Sequence, residues 1–192
     1  MIAKEQTMDW IWDNVLCYVK KRYRAIIVSE VSETYLKQNV DFRGKRVLDV
    51  GADYGMTPFV FASLGAKSID AYSLLWQNPF YTLPNIHWRR KKFDGDEYQT
   101  ALKKDYDILK MDCEGCEYNM SVFSLINHIK EGFVAIHNFP KYSDDFKRWE
   151  GVLVDAYKAK KIWASEDGVE TMFYYNSSNV DLSRMEMREG KK

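Results

Sequence analysis

The chain has no excess charge of either sign: its 28 acidic and 28 basic side chains cancel over 192 residues. No global field therefore draws it to nucleic acid or to an anionic membrane. No apolar run approaches the roughly 20 residues that span a bilayer, and Met1 to Gln6 is too polar for a signal peptide. A soluble, cytoplasmic protein with no membrane partner is expected. Its three cysteines, Cys17, Cys113 and Cys116, are an odd number and do not suggest a secreted disulfide framework. The dinucleotide fingerprint G-x-G-x-x-G is missing from the first glycine turn, which disfavours a diphosphate ligand. Repeats and low-complexity segments are absent too. What the chain does have is aromatic side chains, with six Trp and thirteen Tyr. They suit either a well-filled core or an aromatic-lined pocket.

A chain of this length fits one domain with a helical extension. Met8, Ile11, Trp12, Val15, Leu16, Val19 and Tyr23 recur at helical spacing behind Thr7, a plausible N-cap. The basic cluster Lys20, Lys21, Arg22, Arg24 lies at the negative end of that helix's dipole. A weaker helical pattern covers Ser29 to Asn39. Residues 1–40 thus read as a helical extension, 41–176 as the main domain and 177–192 as a polar tail. Strands are expected at Val47–Val50, Ser68–Tyr72, Ile86–Phe93, Asp107–Met111, Phe133–Ile136, Ile162–Ala164 and Met172–Tyr175. Helices are expected from Thr57 to Gly65, within Asp94–Lys104, from Glu117 to Lys130 with Gly132 as the stop, and after Ser143 as a cap. Trp76 to Pro84, with two prolines, reads as a loop or a short broken helix, and Asp167-Gly168 as the turn of a closing hairpin. The alternation predicts an α/β fold: a doubly wound, mostly parallel sheet with an antiparallel C-terminal hairpin.

The segment Arg46 to Pro58, RVLDVGADYGMTP, is an apolar run that ends in a glycine turn before a helix. Such a turn exposes backbone N–H groups and lets a ligand approach closely. An acid before glycine suits a cationic or zwitterionic ligand with a ribose; Asp49 would face the ammonium side, and the Gly51 and Ala52 backbone would line its path. The plain alternative is an ordinary tight strand–helix turn. A second cluster, Asp112, Glu114 and Glu117, follows a buried strand at the carboxyl edge, where doubly wound sheets bind ligands. His137, followed by Asn138, ends the next strand and faces the same crevice. It reads as a general base, as a metal ligand with Asp112 and Asn138 in an oxygen-rich set that suits Mg²⁺, or as a strand-end histidine bonded to backbone. Cys113 and Cys116 form a C-x-x-C, which allows thiol redox chemistry or half a zinc site. His87 and His128 lack such a setting and read as structural.

LDVGADYG, followed by DYDILKMDCEGCE, resembles the FkbM-like family of S-adenosylmethionine-dependent methyltransferases, with patterns near D-x-G-A-N-x-G and D-x-x-K-x-D-x-E-G-x-E. The likeness covers Phe42 to His137. It implies a three-layer Rossmann-like methyltransferase sandwich, S-adenosylmethionine over Gly51 to Gly55, and methyl transfer to a small-molecule or sugar hydroxyl. On that resemblance Asp49, Gly51, Ala52, Asp53, Gly55, Ser73 and Asp94 bind the cofactor. His137, Asp112 and Glu114 border the acceptor as the catalytic group, while Glu117 anchors a helix start. Two positions depart from the pattern. Ser73 stands where an acid about 20 residues beyond the turn holds the ribose, and Asp53 replaces the usual Asn. A binding or scaffold protein that has lost the cofactor is the alternative. A divalent metal is compatible with this reading but not expected. The partner is then a small molecule or sugar and a homodimer is allowed; nucleic acid, to which only Arg89–Lys92 and the N-terminal basic cluster point, is not expected.

Overall fold

Seven strands form one sheet in the computed structural model, which describes residues 31–53, 55–74, 83–119 and 121–177. The expected helix over residues 7–23, its basic cluster, Cys17, most of the loop after Leu74 and the tail beyond Ser177 lie outside the described residues. The strands are β1 (Arg46–Val50), β2 (Ser68–Tyr72), β3 (Ile86–Arg89), β4 (Ile108–Met111), β5 (Glu131–His137), β6 (Lys160–Ala164) and β7 (Glu170–Asn176). The helices are α1 (Met56–Ser63), α2 (Gly95–Ala101), α3 (Ser121–His128) and α4 (Ser143–Asp155). The sheet order is β3-β2-β1-β4-β5-β7-β6. β1 to β5 pair in parallel, and β7 runs antiparallel between β5 and β6.

Alternation along each central strand divides the core in two. Leu48, Val50, Leu109, Met111, Val134 and Ile136 face the side covered by α2, α3 and α4. Val47, Ile69, Ile108, Phe133 and Ala135 face the side covered by α1 and by the π-helical turn Val31–Leu36. A strand covered on both faces gains from being apolar, which is why β1 and β4 are apolar for most of their length, interrupted by the buried charged pair Asp49 and Lys110. The expected α/β sandwich, doubly wound and mostly parallel with an antiparallel closing hairpin, is therefore present. No helix among the described residues is long and apolar enough to cross a membrane.

Several expected boundaries move for physical reasons. β3 ends at Arg89 rather than Phe93, and its place at the edge of the sheet leaves His87 and Arg89 exposed. Gly132 is not a helix stop. It lies inside β5, where a β-carbon would come 2.3 Å from the Leu109 carbonyl oxygen. Ser143 is the first residue of α4 and makes no cap; a 3-10 turn, Pro140–Tyr142, leads into the helix. Trp149 and Leu153 of α4 and Tyr157 just beyond it are buried, with Phe146 partly so.

One polar tie joins β2 to the segment before β4. The Asp70 carboxylate accepts from Lys104 Nζ at 2.5 Å and from the Tyr106 hydroxyl, with Arg89 at 3.8 Å. Burial raises the carboxyl's pKa, but the Lys104 and Tyr106 bonds outweigh it and hold the group below its usual 3.8. A depressed folded pKa gives stability that is present above the unfolded value and lost as pH falls through the folded one. Asp70→Asn should therefore cost about 1–3 kcal/mol at neutral pH. In urea melts, the gap from wild type should close as pH drops below about 3.8; a gap independent of pH would contradict this.

Candidate active site

The turn after β1 is shaped by what crowds it. Gly51 has φ +81°, and a β-carbon there would lie 1.5 Å from the Asp112 carbonyl oxygen. The N–H groups of Gly51 and Ala52 both donate to the Tyr72 carbonyl, at 3.0 and 2.8 Å. This corrects the expectation that these N–H groups stand open for a ligand. The glycine serves the contact between the ends of β1 and β4, and its bare surface faces the cavity. Gly55, φ +96°, is the N-cap of α1 and buried, and Ala52 is 2% exposed. Neither lines the cavity.

Asp49 is fully buried. Its Oδ2 accepts from Thr57 Oγ1 at 2.6 Å, and its Oδ1 lies 3.5 Å from Lys110 Nζ. Burial raises this carboxyl's pKa against the pull of Lys110 and Thr57. The side chain does not reach the cavity, so the expectation that it meets a ligand's ammonium group is corrected by its burial. Lys110, itself 1% exposed, is the hub: its ammonium donates to the Gly51 carbonyl at 2.6 Å and stands 3.5 Å from Asp112 Oδ2. One buried cation thus ties the first motif to the second.

A cavity of about 670 Å³ opens at the carboxyl edge of β1, β2 and β4, the edge where such sheets bind ligands, and its volume is in the range of small-molecule sites. Of the residues expected to bind a cofactor, Gly51, Asp53, Ser73 and Asp94 line it, and so do Asp112 and Glu114 from the acceptor set. The Asp53 side chain reaches cavity solvent yet is ringed by protein. Burial and the charges of Asp112, Glu114 and Asp49, against the pull of Lys110, push its carboxyl up to about 6. Asp53 and Glu114 hold φ values of +42° and +53°, and such strain in non-glycine residues gathers at functional sites. Ser73 donates to the Asp53 carbonyl at 3.2 Å. Asp94 is the N-cap of α2, but its side chain makes no cap bond. Leu74 is 65% exposed at the cavity wall.

His137 sits behind Asp112, 4% exposed and outside the cavity lining. Its Nδ1 is 2.7 Å from Glu117 Oε1, and its Nε2 is 3.5 Å from Asp112 Oδ1 and 4.0 Å from Glu170 Oε2. Burial lowers the imidazole's pKa, but the Glu117 bond and the charges of Glu117, Asp112 and Glu170 prevail and raise it. Glu117 does not start a long helix. It belongs to a 3-10 turn, Cys116–Tyr118, and its second oxygen accepts from the Gly115 N–H at 2.7 Å. Cys113 and Cys116 are joined as a disulfide at the cavity wall, so the C-x-x-C is neither a free thiol pair nor half a zinc site here. His128 bonds the Lys104 carbonyl at 3.1 Å and lies outside the site.

Uncharacterized protein 158B of Sulfolobus islandicus rod-shaped virus 1 is 30% identical to this chain over 113 residues, which are 57% of this chain and 71% of that protein. The chain belongs to that protein's family. Uncharacterized protein 65 of a Sulfolobus islandicus filamentous virus is 28% identical over 140 residues, 68% of this chain and 80% of its own length. No family model matches, so the FkbM-like resemblance stays at the level of motifs. Among solved structures, a provisionally assigned hemolysin from Lactococcus lactis superposes with a TM-score of 0.57 at 16% identity, covering 83% of this chain and 88% of that one. Aeropyrum pernix fibrillarin, crystallised with natively bound S-adenosyl-L-methionine, gives 0.54 at 16% identity, over 76% of this chain and 74% of that one. The fold is that of the Rossmann-like methyltransferases, some of whose solved members carry S-adenosylmethionine or its product.

Sequence reasoning passed over three groups. Lys110 stood inside the quoted motif, and a lysine within a buried strand was the available signal. Lys141 and Tyr142 line the far wall from a turn that carries no motif. Glu170 reaches His137 because the two are directly opposite in the β5–β7 ladder.

Proposed function

We propose that this chain is an S-adenosylmethionine-dependent methyltransferase acting on an oxygen of a small-molecule or sugar acceptor. The observation that carries the reading is the cavity, which joins the Gly51 turn, Ser73 and Asp94 on one side to Asp112 and Glu114 on the other. The residues present fit an adenosyl amino-acid ligand. The Asp94 carboxylate makes no cap bond to its helix, and Leu74 offers an exposed apolar face at the cavity wall. Fold kinship with S-adenosylmethionine-bound fibrillarin supports that cofactor, and the FkbM-like motifs support an oxygen acceptor.

When bound, the cofactor supplies an electrophilic methyl group. The protein's own work is to hold the acceptor oxygen in line with it, exclude water and stabilise a departing proton. Asp112 and Glu114 are the carboxylates in the wall for that purpose. Glu117 and His137 hold Asp112 from behind, and Lys110 holds it from the side.

Ser73 favours a second reading, a binding protein without turnover, because its hydroxyl is tied to Asp53 where an acid was expected. Calorimetric titration with S-adenosylmethionine decides between them. One site per chain is expected, weakened about tenfold in Asp94→Ala by loss of a hydrogen bond to the ligand. No heat at millimolar ligand contradicts the enzyme; tight binding unaffected by Asp94→Ala removes Asp94 from the site.

A further inference from the structure

We propose that Asp112, His137 and Glu170 form a binding site for a hard divalent cation of the Mg²⁺ or Mn²⁺ type, beside the cavity at the carboxyl edge of the sheet. Three strands deliver the donors. Asp112 follows β4, His137 ends β5 and Glu170 begins β7, whose antiparallel register sets Glu170 opposite His137. The imidazole Nε2 is 3.5 Å from Asp112 Oδ1 and 4.0 Å from Glu170 Oε2, and one ligand atom from each residue lies within 4.8 Å of the others. Donors at about 2.1–2.3 Å from a six-coordinate ion stand about 3.0–4.5 Å apart. Only a small contraction closes the set.

The cluster is more than a group of acids. Its imidazole is 4% exposed, and Nε2 is aimed at the two carboxylates because Nδ1 is held from behind by the fully buried Glu117. Glu117 is fixed in turn by the Gly115 N–H, and Phe139 stacks on the imidazole with ring centroids 5.4 Å apart. A carboxylate behind the non-ligating nitrogen is the usual outer support of a metal-bound histidine. Charge points the same way. Three carboxylates surround one imidazole, and the neighbouring Lys110 ammonium is shared among Asp112, Asp49 and the Gly51 carbonyl. A divalent cation balances that excess of negative charge.

Two carboxylates and one imidazole, with no thiolate, select a hard ion over a soft one. The nearby cysteines are paired with each other and supply no sulfur ligand. Asp112 belongs to the cavity wall, so the ion's remaining positions open towards the acceptor side. An acceptor oxygen bound there would lose its proton more readily. That use of the ion rests on the methyltransferase reading; the site itself does not.

The test is Mn²⁺ binding to the full chain, followed by electron paramagnetic resonance. One Mn²⁺ per chain is expected, with a nitrogen coupling from the imidazole in the pulsed spectrum. Glu170→Gln should weaken binding at least tenfold by removing a charged ligand, and Glu117→Gln about tenfold by releasing the imidazole. Absence of saturable binding below millimolar Mn²⁺ overturns the proposal. So does a bound ion without nitrogen coupling, a readout that needs no variant to fold. A folded Glu170→Gln with unchanged affinity also overturns it. S-adenosylmethionine titrated into the same sample separates the two readings. Cofactor binding without Mn²⁺ binding sinks the metal site alone, and the reverse sinks the methyltransferase alone.

Discussion

Gly51→Ala is expected to yield little folded protein. The new methyl group would sit 1.5 Å from the Asp112 carbonyl oxygen and 2.5 Å from its carbon, both backbone atoms. Neither can retreat: the Asp112 N–H donates to the Val50 carbonyl at 2.9 Å, and Val50 pairs with Met111 across β1 and β4. The backbone angle, φ +81°, adds a further penalty for any residue with a β-carbon. Clash and strain together place the loss at about 4 kcal/mol or more. Soluble yield and the urea midpoint measure it. A midpoint equal to that of wild type would mean the ends of β1 and β4 are not packed as described.

Lys110→Met is the second large effect. The methionine fills much of the lysine's space, but the fully buried Asp49 loses its cationic neighbour and Asp112 loses one of two. Removing one partner of a buried pair typically costs about 3–5 kcal/mol, because the other charge is left uncompensated. The double variant Lys110→Met with Asp49→Asn should then be more stable than Lys110→Met alone. The Asp49→Asn change removes the stranded charge while keeping an acceptor for Thr57. Strict additivity of the two costs would show that the pair is not coupled.

The parts of the fold that local pattern controls were legible in the sequence. β2 was read at its observed bounds and β1 to within a residue, because strands covered on both faces are rich in apolar residues, here Val47, Leu48 and Val50 in β1 and Ile69, Ala71 and Tyr72 in β2. α1 was nearly as clear, with the glycine stop after Leu64. Gly132 misled because a glycine after an apolar helix looks like a cap, whereas here it admits a neighbouring backbone in the sheet. The Ser143 cap failed because the preceding residues wind into a 3-10 turn and leave no capping geometry.

For the site, contiguous motifs carried the signal. Gly51, Asp53, Ser73, Asp94, Asp112 and Glu114 line one cavity, as the sheet-edge argument required. Asp49 was misplaced because a strand's last acid can turn inward as easily as outward; here it alternates with Leu48 and Val50 and meets Lys110 on the neighbouring strand at 3.5 Å. Glu170 was invisible for a related reason. The closing hairpin could be read from its turn, but not the register that sets Glu170 against His137.

We propose that the cavity beside Gly51 holds an adenosyl cofactor, and a crystal structure of the full chain grown with saturating S-adenosylhomocysteine tests this most directly. Density for the nucleoside between the Gly51 turn and Asp94, with the amino-acid end towards Asp53, is the predicted result. A clear map with that cavity filled by solvent alone, or with the ligand bound elsewhere on the chain, would contradict it.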